Sequence, residues 1–381
     1  MNPVRSKKSE VATDLQGANL TSNGMKKSER SAGVLYRKYR PQHFKDVIGQ
    51  DHIVKVLEGA IKFGNISHAY LFSGSRGTGK TSMARILARE IGTSAKDLVE
   101  MDAASNRGID DVREIRESVN TLPFDSRYKV YIIDEVHMLT KDAWNAFLKT
   151  LEEPPQHVVF VLATTELEKV PETVVSRCQA FSFKQPNQAT LKTFALSVAK
   201  KEDFALESAA AELVAILGDG SFRDVHGILE KVLSSGISNP STKLGARKIT
   251  REEVEAVTGA PKAELVKNVL ESIVEKNLEK GMKAIQAATA ANAEMKLFAK
   301  LILERLRFLF LLRLKAGMDD YIKKQISEDD FAFLQALAAK AGPNLTAEIL
   351  LSFIVAYEDS GRTSIPELAL ELALANCVKS V

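Results

Sequence analysis

A chain of 381 residues, 45% apolar and 27% charged, has the make-up of a globular protein with room for two or three domains. Its formal charge of +3 is too small for a generally basic surface, so any nucleic-acid contact must be local. The two cysteines, Cys178 and Cys377, fit no zinc or redox spacing and read as small buried residues in a reducing compartment.

Residues 1–32 are polar, lack the apolar core of a secretion signal and read as a disordered extension, with Met25 available as a second start. From 33 to 185 short apolar runs alternate with helical stretches. The runs are AYLFSG (69–74), DLVEMDA (97–103), KVYIID (129–134), VVFVLATT (158–165) and AFSFK (180–184). Near-continuous Val, Ile, Leu and Phe between helices predicts a parallel sheet covered on both faces, a doubly wound α/β domain. Three helices are expected over 187–203, 207–220 and 221–236, with no strand among them, giving a small helical domain at 186–240. A polar linker, 236–248, precedes a second all-helical region, 249–379. Its most apolar stretch, 297–315, carries Arg305, Arg307 and Arg313 and reads as a packed helix, not a membrane span.

The first run leads into GSRGTGKT (74–81), which fits G-x-x-x-x-G-K-[ST] with a strand before it and a helix after it. Gly74, Ser75, Arg76, Gly77, Thr78 and Gly79 would wrap phosphates with backbone N–H groups, at the positive end of a helix. Lys80 would reach the β- and γ-phosphates and Thr81 would ligate magnesium. The third run ends in Asp134 and Glu135, at the strand edge where the P-loop also lies. Asp134 suits magnesium, and Glu135 suits orienting and activating water. The fourth ends in Thr164 and Thr165, either of which could hold the water or sense the γ-phosphate. His137 reads as structural or surface.

Arg177 precedes the last strand, whereas a P-loop nucleotide sits beyond the carboxyl ends. A five-residue strand is about 17 Å long, too far for the side chain to reach its own nucleotide. Arg177 is therefore an ordinary salt-bridge residue or serves a nucleotide held by a neighbouring subunit.

LYRKYRPQHFKDVIGQDHIVKVL (35–57), HAYLFSGSRGTGKTSMARILA (68–88), DAASNRGIDDVREI (102–115), KVYIIDEVHMLTKDAWNAFLKTLEEPP (129–155) and SRC (176–178) closely resemble the bacterial DNA polymerase III gamma/tau subunit, the AAA+ ATPase motor of the sliding-clamp loader. The resemblance implies a five-stranded AAA+ domain at 33–185, a helical lid at 186–240 and a helical oligomerising collar at 249–379. It implies ATP and Mg2+ as cofactors. The implied partners are the other clamp-loader subunits in a pentamer, the sliding clamp and primer–template DNA. A cytoplasmic location without a membrane partner is also implied.

Residue by residue, Arg177 in SRC matches a trans arginine finger, Thr165 the sensor at the end of the fourth strand, and Arg223 in GSFRD a lid arginine on the phosphates. Arg40, Pro41, Val47 and Ile48 would line the adenine pocket. AASNRGIDD occupies the place where such loaders track the DNA backbone. A helix start with Arg107 suits phosphate, and a plain helix cap accounts for Asp110 equally well. The chain departs from the family in 89–105, which carries no cysteine where a four-cysteine zinc module is usual, so no zinc is expected. It also stops at Val381, a gamma-like length expected to load clamps without tethering helicase or polymerase. No polymerase active site is visible. Two other readings stay open: another AAA+ DNA-acting motor of the branch-migration type, and a nucleotide-binding scaffold that does not hydrolyse.

Overall fold

The computed structural model describes residues 34–235, 247–314, 317–342 and 345–379. The expected N-terminal extension and most of the 236–248 linker lie outside these residues. Five strands form the main sheet: β1 (Ala69–Ser73), β2 (Leu98–Asp102), β3 (Lys129–Asp134), β4 (Val158–Thr164) and β5 (Gln179–Ser182). Their order is β2-β3-β4-β1-β5, and every neighbouring pair is parallel. Because β1 and β3 flank β4, the chain leaves three adjacent strands at one edge of the sheet.

The apolar runs are buried on both faces, with side chains alternating between two cores. Tyr70, Phe72, Val130, Ile132 and Val161 point to one face. There they meet Ile53 and Leu57 of α2 (Asp51–Lys62), which follows the one-turn α1 (Leu35–Lys38), and Met83, Ile86 and Leu87 of α3 (Lys80–Glu90). Leu71, Tyr131, Ile133, Phe160 and Leu162 point to the other. They meet Val112 and Ile115 of α4 (Ile109–Ser118) and Trp144, Phe147 and Leu151 of α5 (Lys141–Glu152). Each such Leu or Phe, fully buried, contributes about 1.5–3 kcal/mol.

Asp97 stands in the connection before β2, where the zinc module was expected to be missing. It is fully buried and accepts the N–H groups of Phe124 (2.6 Å), Asp125 (3.0 Å) and Ser126 (3.0 Å) and the Ser94 hydroxyl (3.0 Å). One carboxylate thus ties the α3–β2 turn to the loop before β3. Burial pushes its pKa up, but these donors outweigh it and hold the carboxyl well below its ordinary range.

Short helix α6 (Glu172–Val175) precedes β5, and then α7 (Gln188–Lys201), α8 (Ser208–Leu217) and α9 (Phe222–Ser234) follow. The expectation of no strand beyond 187 is corrected here. β6 (Phe204–Leu206) pairs in parallel with β7 (Arg247–Ile249), at the end of the supposed linker. Three residues are too few to display a period-2 pattern, and their partner lies some forty residues along the chain.

Helices α10 (Arg251–Thr258), α11 (Ala263–Glu275), α12 (Leu278–Ala290), α13 (Met295–Arg313), α14 (Asp319–Gln325), α15 (Glu328–Lys340), α16 (Ala347–Asp359) and α17 (Leu368–Lys379) complete the chain. They share one contiguous apolar core with α7–α9, from Leu191 and Leu213 through Phe298 and Leu309 to Phe353 and Leu374. Helix α13, the apolar stretch of the sequence, supplies Phe298, Leu301, Ile302, Leu306, Phe308 and Leu309 to that core. No described helix is long and apolar enough to cross a membrane.

A buried ionic knot crosses this core. Arg305 on α13 donates to Glu212 of α8 and, at 3.1 Å, to Asp330 of α15. Arg251 and Lys267 reach the same Asp330 at 3.4 and 3.0 Å. Burial raises the Asp330 pKa, but Arg305 and Lys267 outweigh it and hold the carboxyl below its ordinary value. A depressed carboxyl stabilises fully above its unfolded pKa of about 4 and stops doing so as pH falls through the folded value. Arg305→Leu would strand Glu212 and Asp330 without their shared cation. Urea unfolding of that variant at pH 7 should show a loss of about 3–5 kcal/mol, shrinking as the pH is taken below about 4. A change under about 1 kcal/mol would show that the knot does not hold the helices together.

Candidate functional site: the P-loop cleft

A cleft of about 440 Å³ opens between the carboxyl edge of the sheet and the helices α7 and α9. The glycines of the loop 74–79 are set by close approach and backbone angle. A Cβ on Gly77 would lie 1.9 Å from the Ser221 hydroxyl, and the Gly77 carbonyl accepts the Phe222 N–H at 3.1 Å, so the loop and the start of α9 touch through backbone. Gly79 caps α3 at φ 102°, a conformation glycine adopts without strain, and the space beside it is open. The α3 N-terminus therefore meets the cleft with no side chain at its cap, as a phosphate cradle requires.

Lys80 is 6% exposed, and its ammonium donates to the carbonyls of Gly74 (2.7 Å) and Ser75 (3.0 Å). Burial lowers its pKa below the ordinary value, with Glu135 and Asp134 opposing and Arg223 adding to the shift. Thr78 closes the loop onto the Ser75 carbonyl at 2.9 Å. The Thr81 hydroxyl donates to Asp134 Oδ2 at 2.6 Å. That hydroxyl and carboxylate, from a helix start and a strand end, form a hard oxygen pair that suits Mg2+. A buried ammonium, exposed loop amides and this oxygen pair together fit a magnesium–triphosphate.

Glu135 follows directly, with φ 49° in the left-handed region. Such a backbone costs a non-glycine residue about 1–2 kcal/mol. It turns the chain out of β3 into a short 3-10 turn (Val136–Met138), and Glu135 stays on the cleft wall. Its carboxylate accepts the Thr165 hydroxyl at 2.9 Å. Of the two threonines, Thr165 is the one bonded to the Glu135 carboxylate. Thr164 is fully buried and bonded to His137 Nδ1 (3.0 Å) and the Glu166 N–H (3.0 Å). His137 also reaches Glu166 at 3.1 Å, so it braces the β4 end from inside.

Arg76, Arg223, Arg40, Pro41 and Ile48 all line the cleft. Val47 does not; it is half-buried against the core between the sheet and α2–α3. Unforeseen walls come from Tyr36, Tyr39, Phe194, Phe222 and His226, which give the cleft an aromatic lining. Tyr36 and Tyr39 belong to the YRKYRP segment, where only the Arg–Pro pair had been singled out.

Arg177 is elsewhere. It lies in the turn before β5, whose first residue Gln179 pairs with Tyr70 near the amino end of β1. From Tyr70 to Gly74 alone the rise is roughly 13 Å at about 3.3 Å per residue. Its guanidinium holds Glu152 of α5 at 2.7 Å and the Thr173 carbonyl at 2.7 Å. In 102–115 Arg107 is exposed beside the start of α4. The cap there is Asp111, which accepts the Gly108 N–H at 2.9 Å, while Asp110 pairs with Arg113 at 2.8 Å. The cap reading of Asp110 thus moves one residue along.

Lys80→Ala should remove the triphosphate's main cationic contact while leaving the fold intact, since the ammonium bonds only loop carbonyls here. Calorimetric titration with Mg·ATP should show affinity falling by at least about a hundredfold, a charge-assisted bond to phosphate lost from a buried site. Unchanged affinity would remove Lys80 from the site.

A family model described as DNA polymerase III, delta subunit, matches residues 49–107 and 93–187. The chain is 34% identical over 365 residues to a Bacillus subtilis DNA polymerase III subunit tau, covering 90% of this chain and 62% of that one. It is 39% identical over 282 residues to the Escherichia coli subunit tau, covering 68% and 42%. It therefore spans less than two thirds of the length of these relatives. Among solved structures, the Thermotoga maritima RuvB Holliday junction branch migration motor matches at 22% identity and a TM-score of 0.48, covering 66% of this chain and 85% of that one. A Bacillus subtilis DNA clamp loader delta protein matches at 17% identity and a TM-score of 0.34, covering 85% and 99%. With its P-loop sheet and 34–39% identity over these spans, the chain is similar to the bacterial DNA polymerase III gamma/tau subunits.

Proposed function

We propose that this chain is the ATP-hydrolysing motor subunit of a bacterial sliding-clamp loader. The observation that carries the reading is a division across the sheet. Lys80, the Thr81–Asp134 pair and the Glu135–Thr165 pair meet at the carboxyl edge, while Arg177 stands at the amino edge, out of reach of them. A site built for one subunit alone has no use for that separation, whereas a ring of subunits does.

In this reading loop amides 75–80 and Lys80 hold the triphosphate, with Lys80 exchanging its loop carbonyls for phosphate oxygens. Thr81 and Asp134 would hold Mg2+, which would supply positive charge to offset that of the triphosphate. Glu135 orients the attacking water and takes its proton, and Thr165 fixes the Glu135 carboxylate. Arg223, from the lid, contacts the phosphates in cis. Arg40, Pro41 and Ile48 lie where the base and ribose would be enclosed. Arg177 exchanges Glu152 for the γ-phosphate of the next subunit.

The proposed domains are the AAA+ unit at 33–185, the lid at 186–240 and the collar at 249–379. ATP would favour the arrangement that binds the clamp and primer–template DNA, and hydrolysis would release them. The exposed start of α4, with Arg107, suits a DNA phosphate. Exposed Leu351, Ile354 and Val355 on α16 and Leu372 on α17 offer the collar an apolar face for other loader subunits. DNA as substrate supports a cytoplasmic location.

Arg177→Ala should leave Mg·ATP affinity within about twofold while ATPase in the assembled loader, with clamp and primed DNA, falls about 10³-fold. An ATPase indifferent to clamp, DNA and Arg177 would overturn the reading. For the collar, Leu351→Glu with Val355→Glu should shift the loader toward smaller species in sedimentation, without lowering Tm. An unchanged distribution would exclude this face from assembly.

A further inference from the structure

Four side-chain nitrogen or oxygen atoms among the described residues are buried without a hydrogen-bond partner: Arg85 Nε, His226 Nε2, Glu304 Oε2 and Gln325 Nε2. Of these residues only His226 forms part of the cleft wall. A buried polar atom left without a partner costs about 1–3 kcal/mol, so its persistence at a ligand cleft calls for a partner that comes from outside.

The ring is held firmly. His226 is 5% exposed, lies nearly parallel to Tyr39 (interplanar 7°, centroids 6.2 Å apart) and meets the edge of Phe194 at 4.9 Å. Tyr39 is itself anchored, its hydroxyl donating to Glu202 at 2.6 Å. Burial lowers the imidazole pKa to about 4, with a bond to the Phe222 carbonyl pulling the other way, so the ring is neutral near pH 7. Since Nε2 has no partner, the nitrogen directed at that carbonyl is Nδ1, and we assign the ring hydrogen to it. Nε2 then presents a lone pair and no proton. It can only accept.

A nucleotide has two kinds of donor to offer here, the exocyclic amine of adenine and the ribose hydroxyls. The surroundings favour the base, because the neighbouring walls are the flat rings of Tyr36, Tyr39, Phe194 and Phe222. We propose that His226 Nε2 accepts a hydrogen bond from the exocyclic amine of adenine and thereby selects adenine over bases with a carbonyl at that position. The inference deepens the ATP-binding reading of this cleft and rests on it. Its physical content is a difference: a base with an oxygen in place of the amine meets lone pair against lone pair, and the site's acceptor stays unpaired.

Equilibrium titration of the full chain tests it, with ATP, purine riboside triphosphate (no amine), GTP and 2′-deoxyATP, each with Mg2+. The unaltered chain should bind ATP and 2′-deoxyATP about tenfold more tightly than purine riboside triphosphate, with GTP weaker still. His226→Phe, which keeps a flat ring without the acceptor, should erase that gap by losing ATP affinity alone. His226→Gln, which can still accept, should retain part of it, and melting curves establish that both variants fold. Should the gap survive in His226→Phe, or be absent from the unaltered chain, the assignment is wrong. Dependence on the 2′-hydroxyl instead of the amine would overturn it too, by moving the donor to the ribose. Tight ATP binding with no amine dependence sinks only this inference. Failure of every triphosphate to bind would sink the ATPase reading and this inference together.

Discussion

Strand polarity is the constraint on which the site depends. All five strands run the same way, so each carboxyl end opens on one edge and each amino end on the other. The order β3-β4-β1 then sets three chemically different loops side by side. One wraps with glycines and a lysine, one presents two carboxylates, and one presents threonines. None of these would act alone, since a P-loop without a metal carboxylate holds phosphate but cannot direct a water. The same polarity carries Arg177 to the far edge, and no side-chain rearrangement brings it back.

The start of α9 is joined to this edge through backbone. Gly77 accepts the Phe222 N–H and has no room for a side chain against Ser221. Movement of the phosphate loop therefore bears directly on α9, the helix that also carries Arg223 and His226. Beyond α9, the shared apolar core and the Arg305–Asp330 knot join these helices to the C-terminal ones. A burial of that extent, crossed by paired charges that tolerate little displacement, favours motion of the helices as a body over motion within them.

Much of this was legible because chemistry and spacing coincided. GSRGTGKT lies between a strand and a helix, and KVYIIDE ends an apolar run with acids, so strand edge and residue type pointed to one place. The five strand positions followed from buried runs long enough to stand out. The rest was hidden for definable reasons. Thr164 and Thr165 are adjacent, and only the folded chain sets one on His137 and the other on Glu135. β6 is three residues long and is made a strand by a distant partner. Asp97 looks like any loop acid until four donors converge on it. Arg305 reads as a polar interruption of an apolar helix, and its partners lie on two other helices. His226 carries no local motif at all, and only its missing partner marks it.

The most direct test of the central claim, that each catalytic site is completed by the arginine of its neighbour, is complementation in mixed assemblies. Loaders built from Arg177→Ala chains alone, or from Glu135→Gln chains alone, should be nearly inactive. In a mixture, a Glu135→Gln chain still offers its arginine to the intact Glu135 site of an Arg177→Ala neighbour, so clamp- and DNA-stimulated ATPase should reappear. A mixture no more active than its separate components would contradict the account.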